Sequence, residues 1–418
     1  MLASQRTKGA PLSNPPTVLL MGTLDTKGLE YSYLRSRLLA DDLEVLVLDV
    51  GVNEPSGITP DITRHDVAAA IGADADALAE AGDRGNAVAL MTQAAATLVP
   101  RLYEEGRFDG VLAAGGSGGT AIATSAMQHL PVGVPKLMLS TMASGDTSPY
   151  VGATDITMMA SVTDIAGVNS ISALILANAA GAIAGMVKKA SVELRDPRPL
   201  VAATMFGVTT PAVTGARADL ESRGYEVLVF HCTGTGGRAM ENLIDAGFFD
   251  GVLDLTTTEL CDELVGGVLS AGPDRLGAAA RTGTPQVVSL GALDMVNFGA
   301  PDTVPDEFED RTMYQHNPSV TLMRTTPEET AELGRQIAER LSAAIGPTAL
   351  FVPLRGVSMI AVEGQPFHAP DADAALFAAI RANLSSSVEL IEMDCDINDP
   401  AFAAAMAEKL DSYLKEVR

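Results

Sequence analysis

The sequence predicts an α/β protein built from two Rossmann-like domains, each a mostly parallel sheet flanked by helices. Short aliphatic and β-branched runs alternate with helical segments, which is the pattern of buried parallel strands joined by right-handed crossovers. Several of these runs recur in the same order in the two halves of the 418 residues. A chain of this length also exceeds the usual size of one domain.

The internal repeat supports a duplicated α/β unit. The recurring segments are Glu-Val-Leu-Val at 44–47 and 226–229, Phe-Asp-Gly-Val-Leu at 108–112 and 249–253, and the similar runs 134–140 and 284–289. The alternative is chance similarity among generic buried strands. We place the domains at 1–195 and 196–418, with the boundary in the charged, proline-containing stretch Val192–Pro199.

Each half is expected to begin with four strands, and the second half to add two more. The predicted strands are Val18–Met21, Val45–Val50, Gly110–Ala114, Lys136–Ser140, Leu200–Met205, Val227–His231, Gly251–Leu255, Gln286–Leu290, Ala349–Pro353 and Val388–Met393. Helices are expected at Leu29–Leu39 and Ala87–Glu105. Thr326-Pro327-Glu328-Glu329 predicts a capping box that opens a later helix, and Asp399-Pro400 opens the last one.

Composition excludes several classes of protein. A formal net charge of -25 argues against an extended nucleic-acid footprint, which needs a cationic face. Three scattered cysteines do not support a disulfide framework. The apolar segment Ile165–Val187 is interrupted by polar residues and rich in Ala and Gly, so we expect a buried or interface helix and not a membrane span. Met1–Pro16 lacks a long apolar run, and a cytoplasmic location is expected.

Small, hydroxyl-bearing or glycine-rich loops follow the predicted strands of the first half. They are Gly22–Gly28, Gly115–Thr120 and Ser140–Ser148. Because open α/β sheets bind ligands beyond the carboxyl ends of their strands, these loops are expected to hold a phosphate, with an ordinary helix cap or tight turn as the alternative for each loop. The candidate cofactor-binding residues are Thr23, Asp25, Thr26, Lys27, Gly115, Gly116, Ser117, Gly118, Gly119, Thr120, Ser144, Gly145 and Asp146.

A cation would complete such a phosphate site. Mg²⁺ prefers carboxylate and phosphate oxygens, so Asp25 or Asp146 is expected to hold it against the phosphate. Lys27 would neutralise phosphate charge. Asp49, at the end of the second strand, adds another carboxylate near the same edge of the sheet.

A similar series of polar loops follows the strands of the second half. His231 ends a strand beside glycine-rich backbone and is expected to act as a general base or oxyanion donor, with Asp254 or Glu259 as its partner in proton handling. A structural histidine is the alternative. Cys232 alternates to the other side of the strand and is expected to be a packed core thiol. His316 is a further candidate to complete the site, or else a plain loop residue.

The loops of both halves carry long motifs in a fixed order. They are Gly22–Gly28, Gly115–Thr120, Ser140–Asp146 with Tyr150–Gly152, His231–Glu241, Asp254–Glu259 and Gly291–Gly299. From about Val18 to Leu414 the chain resembles an uncharacterised family, the bacterial relatives of the ATP-binding amino-terminal region of the tomato tobamovirus-resistance protein. The resemblance implies a two-domain protein that binds ATP with Mg²⁺ and forms homodimers. The plant relative continues into a barrel, so barrel chemistry here would need a separate barrel protein as partner.

Three functional hypotheses remain open at this point. The first is an enzyme that uses ATP on an unknown small molecule, with the substrate in the cleft between the domains. The second is an ATP-sensing interaction module, in which the nucleotide orders loops or a dimer without turnover. The third is an ATP-independent enzyme acting on an acidic metabolite, which fits the residues but not the resemblance.

Overall fold

The computed structural model describes residues 15–189 and 198–417. It divides into two compact units, Met1–Leu194 (unit 1) and Arg195–Arg418 (unit 2), which are described separately. Of the predicted boundary stretch Val192–Pro199, residues 192–197 lie outside the described part of the chain. Residues 1–14 of the amino-terminal segment Met1–Pro16 also lie outside it.

Unit 1 is a five-stranded parallel sheet with strand order β2-β1-β3-β4-β5 and helices on both faces. Its described elements are β1 (Thr17–Gly22), α1 (Leu24–Ala40), β2 (Glu44–Asp49), α2 (Arg64–Ala69), α3 (Ala75–Glu80), α4 (Arg84–Glu104), β3 (Gly110–Gly115), α5 (Ser117–Gln128), β4 (Lys136–Ser140), α6 (Ser148–Val151), β5 (Thr157–Ala160) and α7 (Ser172–Lys188).

The strands of unit 1 are buried on both faces because side chains alternate along each strand. In β1, Leu19 and Met21 pack toward α4 and α5, whereas Val18 and Leu20 pack toward α1 and α7. The apolar segment 165–187 supplies α7, whose Ala179, Ala180 and Ile183 are fully buried. Among the helices of the described residues, none combines the length and the apolar character that a membrane span requires.

In unit 1 the order in which the strands are added to the sheet reverses between β1 and β3. From β1 the chain moves to β2 on one side and returns to β3 on the other, and such a switch point opens a crevice at the carboxyl ends of the strands. The hydroxyl of Tyr31 lies in this crevice, accepting from Ala114 N–H at 2.8 Å and donating toward the Met21 carbonyl at 2.6 Å. Gly22 leaves room for the ring, since a Cβ there would lie 1.9 Å from the ring atom Cζ.

Unit 2 contains a six-stranded parallel sheet in the order β14-β13-β9-β8-β6-β7 and a three-stranded antiparallel sheet in the order β10-β12-β11. Its described elements are β6 (Leu200–Met205), α8 (Thr210–Ser222), β7 (Glu226–His231), α9 (Thr235–Asp245), β8 (Gly251–Thr256), α10 (Glu259–Val265), α11 (Ala278–Thr282), β9 (Gln286–Gly291), β10 (Met295–Phe298), β11 (Met313–Asn317), β12 (Val320–Arg324), α12 (Pro327–Ser342), β13 (Thr348–Pro353), α13 (Pro370–Asn383), β14 (Glu389–Met393) and α14 (Pro400–Val417).

The fold class predicted from the sequence is confirmed: both units are α/β, with parallel sheets flanked by helices. The three repeated segments lie on β2 and β7, β3 and β8, and β4 and β9, and both sheets share the order of these strands. A common origin of the two units stays a prediction. The capping box of α12 is confirmed, because Thr326 Oγ1 accepts from Glu329 N–H at 3.2 Å and Glu329 accepts from Thr326 N–H at 2.8 Å. The antiparallel sheet was not predicted.

Candidate functional site

A pocket of about 480 Å³ opens at the carboxyl ends of β1, β2 and β3, beside the switch point of unit 1. We call it the switch-point pocket. It is lined by Thr23, Asp25, Thr26, Lys27, Val50, Val52, Asn53, Leu78, Ala79, Gly82, Asp83, Arg84, Ala87, Val88, Gly116, Ser117, Gly118, Gly119 and Ile122. Eight of the thirteen residues predicted to bind the cofactor therefore share one cavity.

The loop after β1 brings a lysine to this pocket. Thr23 lies between the end of β1 and the start of α1, and its carbonyl accepts from the backbone N–H groups of Thr26 and Lys27. At Lys27 the backbone leaves helical geometry (φ -125, ψ 17), which separates the first turn of α1 from the rest of the helix. The half-buried Lys27 ammonium donates to the carbonyl of Ile165 and is held at the pocket wall.

Asp25 is the carboxylate that reaches the same wall. Its Oδ2 accepts from the backbone N–H and the side-chain amide of Asn53, both at 3.2 Å. Its Oδ1 is buried and has no hydrogen-bond partner. A buried carboxylate oxygen without a donor is unfavourable unless a cation, a proton or water satisfies it, so this atom fits a metal ion bound in the pocket.

The glycine-rich loop after β3 forms the opposite wall. Helix α5 begins at Ser117, so the N–H groups of Ser117, Gly118 and Gly119 belong to its first turn and have no intrahelical acceptors. The positive end of the helix dipole acts at the same place, and together these features favour an anion. The wall thus has the backbone donors expected from the sequence.

The remaining wall of the switch-point pocket is largely apolar and was not predicted. It is formed by Val50, Val52, Leu78, Val88 and Ile122, from the end of β2, from α3 and α4, and from α5. Polar groups stand at one edge of this wall, where Asp83 caps α4 by accepting from Asn86 N–H at 3.1 Å and Arg84 follows in its first turn. Asp83 is the residue that could have indicated this edge from the sequence, because an aspartate suits the N-cap position of a helix.

Five predicted cofactor-binding residues do not line the pocket. Gly115 is the buried last residue of β3, and Thr120 is buried with its hydroxyl 2.8 Å from the Gly116 carbonyl and 2.6 Å from Ser140 Oγ. Ser144, Gly145 and Asp146 are exposed on the loop after β4. Asp146 accepts from the N–H and hydroxyl of Ser148, which holds its pKa below the usual range. The structure therefore brings Asp25, and not Asp146, to the pocket as a candidate metal ligand.

In unit 2, Asp254 and Glu259 belong to a buried ion cluster around Arg275. The Arg275 side chain is fully buried and donates to Asp254 Oδ1 at 2.7 Å, to Glu259 Oε2 at 2.8 Å and to Glu241 Oε1 at 3.2 Å. Glu259 also accepts from the backbone N–H groups of Gly234 and Gly237. These carboxylates are ion-paired and withdrawn from water, and Arg275 is their common partner.

The structure does not bring His231 next to Asp254, and the roles of His231, Asp254 and Glu259 in proton handling stay predictions. His231 is exposed at the end of β7 and packs edge-on against Phe206, with ring centroids 5.6 Å apart. Asp254 lies on β8, on the far side of β6, where it accepts from Thr204 Oγ1 at 2.8 Å. Cys232 is fully buried and its thiol donates to the Thr256 carbonyl, as expected of a core thiol. His316 is exposed on β11.

The switch point of unit 2, between β6 and β8, contains three hydrogen-bonded threonines, Thr204, Thr209 and Thr256. Thr204 Oγ1 accepts from Thr256 N–H at 2.9 Å, and the hydroxyls of Thr209 and Thr256 are 2.7 Å apart. All three threonines are buried. The equivalent crevice in unit 1 instead opens into the switch-point pocket, which makes unit 1 the location of the candidate site.

The fold and the pocket together define a class: an α/β protein of two units whose first parallel sheet carries a mixed polar and apolar pocket at its switch point. The chain belongs to the uncharacterised protein family UPF0261. The family's N-terminal domain matches residues 16–192, and its C-terminal domain matches residues 198–414.

Relatives cover nearly the whole chain. A UPF0261 protein of Clostridium tetani is 52% identical over 400 residues, 96% of this chain and 99% of the relative. A UPF0261 protein of Rhizobium meliloti is 49% identical over 390 residues, 93% and 96% of the two chains. The ToMV resistance protein Tm-1(GCR237) of Solanum lycopersicum is 38% identical over 425 residues, 96% of this chain but 56% of the tomato protein.

Among solved structures, a putative UDP-N-acetylglucosamine 2-epimerase from Listeria monocytogenes is similar over 65% of this chain and 78% of its own. The sequence identity is 11% and the TM-score is 0.23. A similarity at this level has no bearing on function.

Proposed function

We propose that this protein binds ATP together with Mg²⁺ in the switch-point pocket. The observation that carries the proposal is the meeting of three groups in one cavity: the Lys27 ammonium, the backbone donors of Ser117–Gly119 and the Asp25 carboxylate. These are the groups that a triphosphate and its metal ion require. The resemblance of the loop sequences described above implies the same ligand.

The triphosphate would lie at the glycine-rich wall. Its oxygens would accept from the N–H groups in the first turn of α5, where the helix dipole adds a favourable field. Lys27 supplies the compensating charge from the facing wall, and the hydroxyls of Thr23 and Thr26 are further donors on the same loop. A carbonyl is a weaker partner for an ammonium than phosphate is, so Lys27 would exchange its bond to Ile165 for one to the ligand.

The base would lie against the apolar wall. A cavity of about 480 Å³ lies within the range typical of small-molecule sites. This wall gives the flat adenine base an apolar surface that water does not solvate well. Val50 and Ile122 are buried there, and Leu78 and Val88 are half-buried. Arg84 stands at the edge, within reach of a ribose or a phosphate.

Mg²⁺ would lie at Asp25. The unpartnered, buried Oδ1 fits a hard cation, which takes one or two carboxylates and completes its shell with phosphate oxygens and water. When bound, Mg²⁺ would neutralise phosphate charge and orient the phosphate chain. Asn53 holds the other carboxylate oxygen and so orients Asp25 toward the pocket.

Two functions are compatible with ATP binding. An enzyme that uses ATP on a small molecule would perform its chemistry at the phosphate end of the pocket, where positioning and charge stabilisation supply most of the catalysis. A sensing module without turnover is the second candidate. It is favoured by one observation: Asp254 and Glu259, the predicted proton-handling residues, are paired with the buried Arg275. A homodimer and a separate barrel protein as partners stay predictions from the resemblance.

Calorimetric titration with ATP, with Mg²⁺ and with EDTA, tests the proposal. We expect one site per chain and tighter binding with Mg²⁺. An absence of binding under both conditions would overturn the proposal and leave an ATP-independent enzyme on an acidic metabolite. Phosphate release across a metabolite panel then separates the enzyme from the sensor. Measurement of oligomeric state with and without ATP asks whether the nucleotide acts through a dimer.

A further inference from the structure

A second carboxylate lies behind Asp25. Asp49, the last residue of β2, is fully buried and follows Val47 and Leu48 in the strand. Gly51 separates it from Asp25: a Cβ on Gly51 would lie 3.0 Å from Asp25 Oδ1 and 3.0 Å from Asp49 Oδ1. Gly51 therefore lets the two carboxylates lie close together, because any side chain at residue 51 would crowd an oxygen of each.

Each carboxylate of the pair has one oxygen bonded and one unpartnered. Asp49 Oδ1 accepts from Gly51 N–H at 2.8 Å and from Leu24 N–H at 3.2 Å, whereas Asp49 Oδ2 is buried without a partner. Asp25 Oδ2 is held by Asn53, and Asp25 Oδ1 is buried without a partner. Each of these neighbouring carboxylates thus has one buried oxygen that lacks a donor, and a buried polar atom without a partner indicates a bound ion, proton or water.

The charge of this pair is poorly compensated by its surroundings. Asp49 is fully buried, and an oxygen of Asp25 lies on the other side of Gly51. The buried Arg64 guanidinium attracts Asp49 but is already hydrogen-bonded to Glu54, Asp76 and the Val52 carbonyl. Two neighbouring carboxylates, one fully buried and one at the pocket wall, are stabilised by a positive ligand or a shared proton.

We infer that Asp25 and Asp49 form a divalent-cation site that binds its metal before and independently of the nucleotide. The site lies beside the switch-point pocket, which Asp25 lines, and the chemistry of its donors, two carboxylates, suits Mg²⁺ or Mn²⁺. The inference deepens the proposed function, since a cation held there would meet the phosphates of the bound nucleotide. It assigns Asp49 the role of an inner ligand that does not line the pocket itself.

Binding of Mn²⁺ to the full-length chain, followed by electron paramagnetic resonance of the free ion without any nucleotide, tests this inference. We expect the unmodified chain to bind one Mn²⁺ that Mg²⁺ displaces. Asp49→Asn removes one charge of the pair. Gly51→Ala keeps both carboxylates in the chain but adds a methyl group 3.0 Å from an oxygen of each, which crowds the pair. Each substitution is expected to weaken Mn²⁺ binding by at least the roughly tenfold that loss of even an outer-shell partner costs.

Asp146→Asn is the matched control, because it removes an exposed carboxylate of the same unit that does not line the pocket. It is expected to leave Mn²⁺ affinity unchanged. Asp49 also holds two backbone N–H groups, so thermal unfolding of Asp49→Asn is measured alongside. If that variant does not fold, Gly51→Ala decides the question.

Failure of this inference differs from failure of the proposed function. Unaltered Mn²⁺ affinity in Gly51→Ala and in folded Asp49→Asn, or no Mn²⁺ binding to the unmodified chain, would overturn the cation site even if ATP binds in EDTA. Mn²⁺ binding that both substitutions weaken, in a chain that does not bind ATP, would support the cation site and contradict the proposed function.

Discussion

Arg275 and Asp254 are joined by two hydrogen bonds between guanidinium and carboxylate, in the interior of unit 2. Both side chains are almost completely withdrawn from water. Arg275 lies in the segment between α10 and α11, and Asp254 lies on the central strand β8. The pair therefore holds the irregular segment between α10 and α11 against the sheet. Arg275 also neutralises the charges of Glu259 and Glu241.

Arg275→Met is expected to destabilise unit 2 strongly. Removing one partner of a buried ion pair leaves uncompensated charge, which costs about 3–5 kcal/mol in free energy of unfolding. Arg281→Met is the control, because Arg281 pairs with Asp245 where both side chains are about half exposed. Its cost is expected to be below about 1 kcal/mol. Urea unfolding measures both, and equal midpoints for the two variants would contradict a structural role for Arg275.

Lys27→Met is expected to weaken ATP binding about tenfold to hundredfold. The loss of one charged hydrogen bond to phosphate corresponds to about 1.5–3 kcal/mol. Lys188→Met is the control, because Lys188 is exposed, donates to the Asp41 carbonyl and does not line the pocket. Calorimetry at two salt concentrations compares the variants. If Lys27→Met binds ATP as tightly as Lys188→Met does, the proposed phosphate position is wrong.

Gly118→Ala and Gly119→Ala are expected to separate stability from binding. A Cβ at either position meets no other atom within 4 Å, so the fold accepts alanine. Alanine favours a helix over glycine by about 0.5–1 kcal/mol, and both variants should unfold at slightly higher temperature. Their methyl groups add bulk to the glycine-rich wall, so ATP affinity should fall. Gly181→Ala in α7 is the control and should gain stability without losing ATP affinity. An equal fall in ATP affinity in Gly181→Ala would contradict a specific role of the glycine-rich wall.

Asp294 is expected to make the stability of unit 2 depend on pH. Burial raises the pKa of Asp294 from 3.8 to about 6, and its Oδ2 accepts from Ser358 Oγ at 2.7 Å. Between about pH 4 and pH 6 the folded chain therefore binds more protons than the unfolded chain, and stability falls as the pH rises. Relative to Asp294→Asn, the unmodified chain should lose about 3 kcal/mol over this range.

Urea unfolding at several pH values measures this difference. The control is Asp302→Asn, an exposed aspartate of unit 2 whose removal should leave the pH dependence unchanged. A pH dependence that is the same in the unmodified chain and in Asp294→Asn would show that Asp294 stays ionised in the folded state.

Strands and caps were predictable because they depend on local sequence. The predicted strands Lys136–Ser140 and Leu200–Met205 have the observed bounds, and the Thr326 capping box forms as its spacing indicates. The glycine-rich and Lys27 loops meet because the carboxyl ends of parallel strands share one edge, a rule that needs only the strand order.

The apolar wall and the ion cluster were not predictable in this way. Leu78 and Val88 belong to helices between β2 and β3, and only the packing of α3 and α4 on the sheet brings them to the pocket. From the sequence, Asp254 and Glu259 were expected at a reactive edge of the sheet. Their ion pairs were not predicted because their partner, Arg275, lies further along the chain in an irregular segment. The sequence around Arg275 does not indicate that its side chain will be buried between Asp254 and Glu259.

Tyr31 limits how the switch-point pocket can vary among related chains. Its buried hydroxyl forms hydrogen bonds with backbone groups of Met21 on β1 and Ala114 on β3. A phenylalanine there would leave these groups without the hydroxyl partner, and the ring already depends on the missing side chain of Gly22. Variation in ligand size among related chains should therefore arise from the helices around the pocket and leave this tyrosine unchanged.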